Sequence, residues 1–134
     1  MNEMWQVLPV GDETVPKLID PVLVEGLPGI GNVGKIAIDF MIEEIKAKKV
    51  YSLFSYSLPH SVFVNEDNMV ELPTIEVYYK KFGGKGKRDL IILTGDVQPT
   101  DEVSSYQFCE KVIEIAKLFK VKEIVTTGGK GKRD

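Results

Sequence analysis

VLVEGLPGIGNVGK, residues 22–35, passes from a short apolar run through a glycine-rich turn into an amphipathic segment. The run at 22–25 suits a strand entering the buried middle of a sheet, and the turn leads straight into a helix start. A strand, loop and helix joined this way aim backbone N–H groups and the positive end of a helix dipole past the strand's carboxyl end. Ligand or partner chemistry is therefore expected at that edge.

Outward from this unit, Val33, Ile36, Ala37, Phe40, Met41 and Ile45 recur at three- and four-residue spacing. That spacing predicts a helix over 32–46, with this stripe on a sheet and Lys35, Glu43, Glu44 and Lys46 in water. Residues 50–56 are rich in β-formers and end near Leu58-Pro59, predicting a second strand that completes a βαβ unit. The turn-formers Asn65-Glu66-Asp67-Asn68, between 61–64 and 69–72, predict a hairpin. Alternation across 75–79 predicts a half-exposed strand, and a short Gly/Lys loop joins it to the apolar run 90–94, so these two should pair antiparallel. Thr100 is placed to cap a helix that carries Asp101 and Glu102 in its first turn. Its buried stripe is read as Tyr106, Cys109, Val112, Ile113, Ala116 and Phe119, and a last strand is expected at 123–126. The class is α/β with a mixed sheet.

With 134 residues, 43% hydrophobic and 28% charged, the chain is read as a single domain: a leader over 1–20, an α/β core over 21–129 and a basic tail over 130–134. A net charge of -3 argues against a general electrostatic hold on nucleic acid or an acidic membrane. No apolar stretch approaches the span of a bilayer, and the opening MNEMWQV lacks a basic segment followed by a hydrophobic one, so no secretory signal is expected. The single cysteine, Cys109, leaves no disulfide framework or cysteine metal cluster, which fits the cytoplasm. GGKGKRD occurs at 83–89 and again at 128–134. Too short for a supersecondary repeat, the second copy is read as a duplication, a cloning remnant or a reconstructed end, and no function is assigned to it.

Gly29-Ile30-Gly31-Asn32-Val33-Gly34 satisfies G-x-G-x-x-G where that motif must sit, after a strand and at a helix start. The acid that would hold a ribose at the end of the second strand is missing, since Tyr56-Ser57-Leu58 stands there. Residues 29–35 also fit most of G-x-x-x-x-G-K, but Ile36 replaces the hydroxyl that would ligate magnesium. Both a dinucleotide fold and a working ATPase loop are thereby disfavoured. The same glycines equally serve a tight turn and close helix-to-sheet contact with no ligand. Thr94-Gly95-Asp96-Val97-Gln98-Pro99-Thr100 follows a strand and precedes a helix, which brings it to the same edge. A small anion, nucleoside or nucleotide bound there would meet Gly29, Gly31, Asn32 and Gly34, with Asp96 and Gln98 helping, unless Asp96 only satisfies its own turn.

His60, the only histidine, is read as a turn or interface residue, because one histidine builds no metal site without further ligands. Neither metal nor cofactor is expected, and no catalytic residue is assigned. Cys109 is read as core. Lys80, Lys81, Lys85, Lys87 and Arg88 form a basic hairpin tip, either solvated or facing an acidic partner. Phe108, Ile115 and Leu118 fall on a second side of the last helix, where they either widen the core or form a subunit contact. Phe108, Ile115, Leu118, Lys85, Lys87 and Arg88 are thus the candidates for partner binding.

Taken in order, PVLVEGLPGIGNVGKIA, FSYSLPHSVFV, LIILTGDVQPT and IVTTGG resemble the archaeal branch of the proteasome assembly chaperone family. The resemblance implies a three-layer α/β/α sandwich with a mixed sheet, similar to the nucleoside phosphorylase/hydrolase-like fold. It also implies homo-oligomers and binding to proteasome α subunits rather than catalysis. Members are usually longer, and Lys132-Arg133-Asp134 does not match the hydrophobic-tyrosine-any tail with which some of them engage the proteasome. Three readings of function follow: a non-enzymatic chaperone-like protein that self-associates and binds proteasome α subunits; an enzyme or sensor that binds a small anion, nucleoside or nucleotide at the glycine loop; and a truncated α/β domain without independent activity. The first stands in front.

Overall fold

Leu90–Gly95 forms the middle of the molecule: Ile91, Ile92 and Leu93 are wholly buried, so apolar side chains pointing to both faces of one strand are covered. The computed structural model describes residues 5–10, 16–27, 33–55, 63–64, 70–71, 74–84, 86–95 and 102–127. The elements in chain order are β1 (Trp5–Pro9), β2 (Val22–Gly26), α1 (Val33–Ile45), β3 (Lys48–Ser55), β4 (Phe63–Val64), β5 (Val70–Glu71), β6 (Ile75–Lys80), β7 (Leu90–Gly95), α2 (Glu102–Leu118) and β8 (Glu123–Thr127). One six-stranded sheet runs β1-β3-β6-β7-β2-β8, and β4 pairs with β5 in a separate antiparallel ribbon. β2 is parallel to both β7 and β8, whereas β6 is antiparallel to β7 and β3, and β1 to β3. The sheet is mixed, as expected.

Among the described residues each face carries one helix. Leu23, Leu53, Ile75, Val77, Ile91 and Leu93 meet Phe108, Val112, Ile115 and Phe119 of α2 in a single core, with Tyr51 edge-on to Phe119 at 6.3 Å between ring centroids. Ile92 and Thr94, alternating to the other face, lie on the side of α1, which packs on β2 and β7. The result is a three-layer α/β/α arrangement. Both helices end in a lysine with left-handed backbone, Lys46 at φ 55° and Lys120 at φ 60°, so that Ala47 N–H reaches back to Ile42 and Val121 N–H to Ala116.

The predicted elements are present with small shifts of boundary: 22–25 becomes Val22–Gly26, 75–79 becomes Ile75–Lys80, 90–94 becomes Leu90–Gly95 and 123–126 becomes Glu123–Thr127. Four readings are corrected. The leader contains β1, a strand that WQVLP scarcely advertises and that forms by pairing with β3. β2 and β3 are not neighbours, because the two places beside β2 are taken by the apolar strands β7 and β8. α1 buries Gly34 and Ile38 instead of the expected stripe, leaving Ile36 and Phe40 64% and 65% exposed and Ala37 exposed as well. α2 buries Val112, Ala116 and Phe119 as expected but adds Phe108 and Ile115 to them, while Tyr106, Cys109 and Ile113 of the expected stripe are exposed. In each helix two apolar faces compete, and the sheet takes the one that packs closer or carries the larger apolar side chains.

The amino ends of the parallel strands are tied together. Asp89, buried before β7, accepts Ile19 N–H at 2.7 Å and Phe82 N–H at 3.0 Å, and its own N–H donates to Ile19 O at 3.1 Å. Arg88 adds Asp20, through both its carboxylate and its carbonyl, and Glu123 at the start of β8.

Close approach of α1 to the sheet rests on Gly26: a Cβ there would lie 2.4 Å from Ile38 Cγ1 and 2.7 Å from Gly34 O. Gly26→Ala is expected to destabilise by about 1–3 kcal/mol, because the helix must move off β2 to accept one methyl group. Urea unfolding of the purified variant measures this.

Candidate functional site

At their carboxyl ends the parallel strands stop level, with Gly26 opposite Thr94 and Thr127, and α1 begins on the same side. Gly34 is buried at that junction beside Gly26, so the last glycine of the G-x-G-x-x-G pattern serves close helix-to-sheet packing. Lys35, placed where a P-loop lysine would stand, instead pairs with Asp39 one turn on. The other carboxylate oxygen of Asp39 accepts the Thr94 hydroxyl at 2.9 Å, which joins α1 to the end of β7. Gly95 is equally constrained, since a Cβ would come within 2.8 Å of Ile75 Cγ1.

Between α1 and the ends of β6 and β7 opens a polar cleft of about 340 Å³ that Lys35, Asp39, Glu43, Glu76, Tyr78 and Thr94 help to line. Its far wall is a second charged set: Glu76 pairs with Lys49 and accepts the Tyr78 hydroxyl at 3.2 Å, while the Lys49 ammonium stands 5.8 Å from the Tyr78 ring centre. Such a wall orients a small polar molecule; the Thr94 hydroxyl stands on the Asp39 carboxylate, and among the described residues no three or more metal-ligating side chains come together.

On the opposite face a groove of about 330 Å³ lies between α2 and the β2–β8 pair, lined by Leu27, Phe108, Val112, Ile113 and Ile124, with Glu25, Ser105 and Cys109 among its walls. Burial pushes the Glu25 carboxyl above the ordinary glutamate range.

Of the residues singled out from sequence, Gly34 is at the junction just described, while Gly29, Gly31, Asn32, Asp96, Gln98, His60, Lys85, Thr100 and the second GGKGKRD lie outside the described residues. Phe108 and Ile115 are buried in the core, with Phe108 also on the wall of the groove, and Leu118 is exposed. Lys87 and Arg88 are exposed, Arg88 being engaged with Asp20 and Glu123. Cys109 is corrected from core to an exposed position at the groove. Asp39, Glu76 and Tyr78 were missed, because only the pairing of β6 with β7 and the placement of α1 bring them together. The one sequence signal was the i, i+4 spacing of Lys35 and Asp39.

The sequence profile of the PAC2 family matches residues 23–134. An uncharacterised protein of Methanocaldococcus jannaschii is 30% identical over 117 residues, 87% of this chain and 44% of its own. The crystal structure of Pyrococcus furiosus PbaB, described as an archaeal proteasome activator, superposes with a TM-score of 0.86 at 39% identity, covering 95% of this chain and 52% of PbaB. Pyrococcus furiosus PbaA, an archaeal homolog of proteasome-assembly chaperone, shares the fold at TM-score 0.68 and 19% identity over 97% of this chain and 48% of its own. The chain belongs to the PAC2 family, and its fold is that of PbaB and PbaA. It spans about half the length of each relative named.

A glutamate whose folded carboxyl holds its proton more tightly than the unfolded one favours the folded state at low pH, and this contribution is lost as pH rises through the raised value. Glu25→Gln is therefore expected to be more stable than the parent at neutral pH, with the advantage shrinking toward about pH 4. Denaturant midpoints of the two proteins across that range give the comparison; an advantage that grew on acidification would contradict the assignment.

Proposed function

We propose that this chain is a non-enzymatic, proteasome-associated binding module of the cytoplasm that self-associates and binds proteasome α subunits. The observation that carries the reading is the PbaB match, 39% identity and a TM-score of 0.86 over 95% of the chain. The surface is consistent with it. Ile36 and Phe40, one turn apart on the outer side of α1, and Tyr106 and Leu118 on α2 present more exposed apolar side chain than a solitary helix layer needs. Lys87 at the basic tip supplies the polar complement for an acidic partner. Mixed with recombinant archaeal proteasome α subunits, the chain is expected to co-elute with them in size-exclusion chromatography, and Phe40→Glu to weaken self-association or α-subunit binding at least about 10-fold. Absence of any complex by native mass spectrometry would end this reading.

The polar cleft favours the nucleoside form of a second reading, a neutral polar molecule whose hydroxyls Asp39, Glu43 and Glu76 accept, held between α1, β6 and β7; the small-anion and nucleotide forms rest on the glycine loop, where Gly29, Gly31 and Asn32 lie outside the described residues. Calorimetric titration with nucleosides, phosphate and ATP separates the readings: the cleft expects nucleoside heat that is lost in Asp39→Ala, whereas the chaperone-like reading expects none.

A further inference from the structure

α1 packs on β2, β7 and β8, and the sheet continues past β7 to β6 and β3. Ile75 and Val77 turn into the core beneath α2, so the alternate side chains Glu76 and Tyr78 stand on the α1 face beside the helix. They form one wall of the polar cleft, and Lys35, Asp39, Ile42 and Glu43 of α1 form the other. Thr94 and Gly95, both buried at the end of β7, close its floor. Glu43 is exposed and Asp39, Glu76 and Tyr78 partly so, which leaves the rim open to solvent.

Charge does not balance across this cleft. Lys35 pairs with Asp39 and Lys49 with Glu76, while the Glu43 carboxylate has no partner among the described residues. Three carboxylates thus meet two ammonium groups, and one further cation makes the site neutral. An anion is repelled there, and an uncharged ligand leaves the excess in place. Lys49 shows what the β6 wall accepts: its ammonium pairs with Glu76 and stands 5.8 Å from the Tyr78 ring centre, so one cation has both an ion pair and an aromatic face. Carboxylates only accept hydrogen bonds and a guanidinium only donates them. Being planar, it also stacks on a ring while forking onto a carboxylate, which a second ammonium does not do.

We propose that the cleft between α1 and β6 binds one guanidinium group, the side chain of an arginine in a partner polypeptide, on Glu43 and against Tyr78. Free arginine would bring a carboxylate of its own into a site whose two ammonium groups are already paired, whereas an arginine within a chain brings none. The surface is distinct from the outer side of α1, and neither a proteasome subunit nor a nucleoside is required to fill it.

The probe is Nα-acetyl-arginine N-methylamide, titrated into the 134-residue chain with backbone amide shifts as the readout. Saturable single-site shifts over 35–43 and 76–78 are expected, with a Kd on the order of 1 mM. The citrulline analogue, equal in shape and uncharged, should bind at least about 10-fold more weakly, and so should the arginine probe to Glu43→Gln. Glu43 is exposed on its helix, so that variant is expected to melt within about 2 °C of the parent. Tyr78→Leu should weaken the probe about 2–5-fold through loss of the ring face. No shift up to about 20 mM probe, equal binding of the citrulline analogue, or undiminished binding to Glu43→Gln would each overturn the proposal. So would free L-arginine binding at least about 10-fold tighter than the capped probe, the ligand then being a free amino acid. Nucleoside heat with no response to the arginine probe would overturn it too, and would leave the nucleoside reading in its place.

Discussion

A strand with apolar side chains on both faces must be covered twice, and β7 imposes that condition on everything around it. Ile91 and Leu93 point to one side and Ile92 to the other, all three without access to water. Burial of each is worth about 1.5–3 kcal/mol, and each gain vanishes if the helix layer on its own face is withdrawn. α2 meets the first pair with Phe108, Val112, Ile115 and Phe119. α1 meets the other face, and its closeness depends on Gly26 and Gly34 leaving no side chain between helix and strand.

The two faces then divide their chemistry. On the α1 side the covering helix brings Lys35 and Asp39 over Thr94, so the rim of the sheet becomes a polar cleft in which Lys35 pairs with Asp39 and Glu76 with Lys49. On the α2 side the helix sits toward the middle of the sheet and leaves an apolar groove at the β8 edge. A glycine-rich turn at the head of α1 suggests a nucleotide cradle by its letters alone. Within the described residues, however, Gly34 is spent on packing and Lys35 on an internal ion pair, so neither is left to hold a phosphate.

Strand positions were legible because apolar runs such as VLV and LIIL are local signals bounded by glycine and proline. The helices were legible as helices, but not their orientation. In α1, Ile36 and Phe40 rival Ile38, and only the three-dimensional fact of a glycine on the facing strand selects the Ile38 side. In α2, Cys109 and Phe108 are adjacent in sequence and about 100° apart around the axis, so an error of one position exchanges core for surface. Strand order was invisible for a related reason: the neighbours of β2 come from near residues 90 and 123, and no local pattern records which distant strand will lie alongside. The polar cleft shares that origin, since Thr94 and Asp39 meet across 55 residues of chain.

The ties at the foot of the parallel strands also govern the order in which the molecule can be made. Ile19 must wait for Asp89, 70 residues later, and Val22 for both Leu90 and Glu123. At translation rates of about 5–20 residues per second, that separation is roughly 4–14 s during which β2 and α1 have emerged with no sheet to join. The amino-terminal third therefore waits longest for its partners, and its packing is complete only once β7 and β8 have been made.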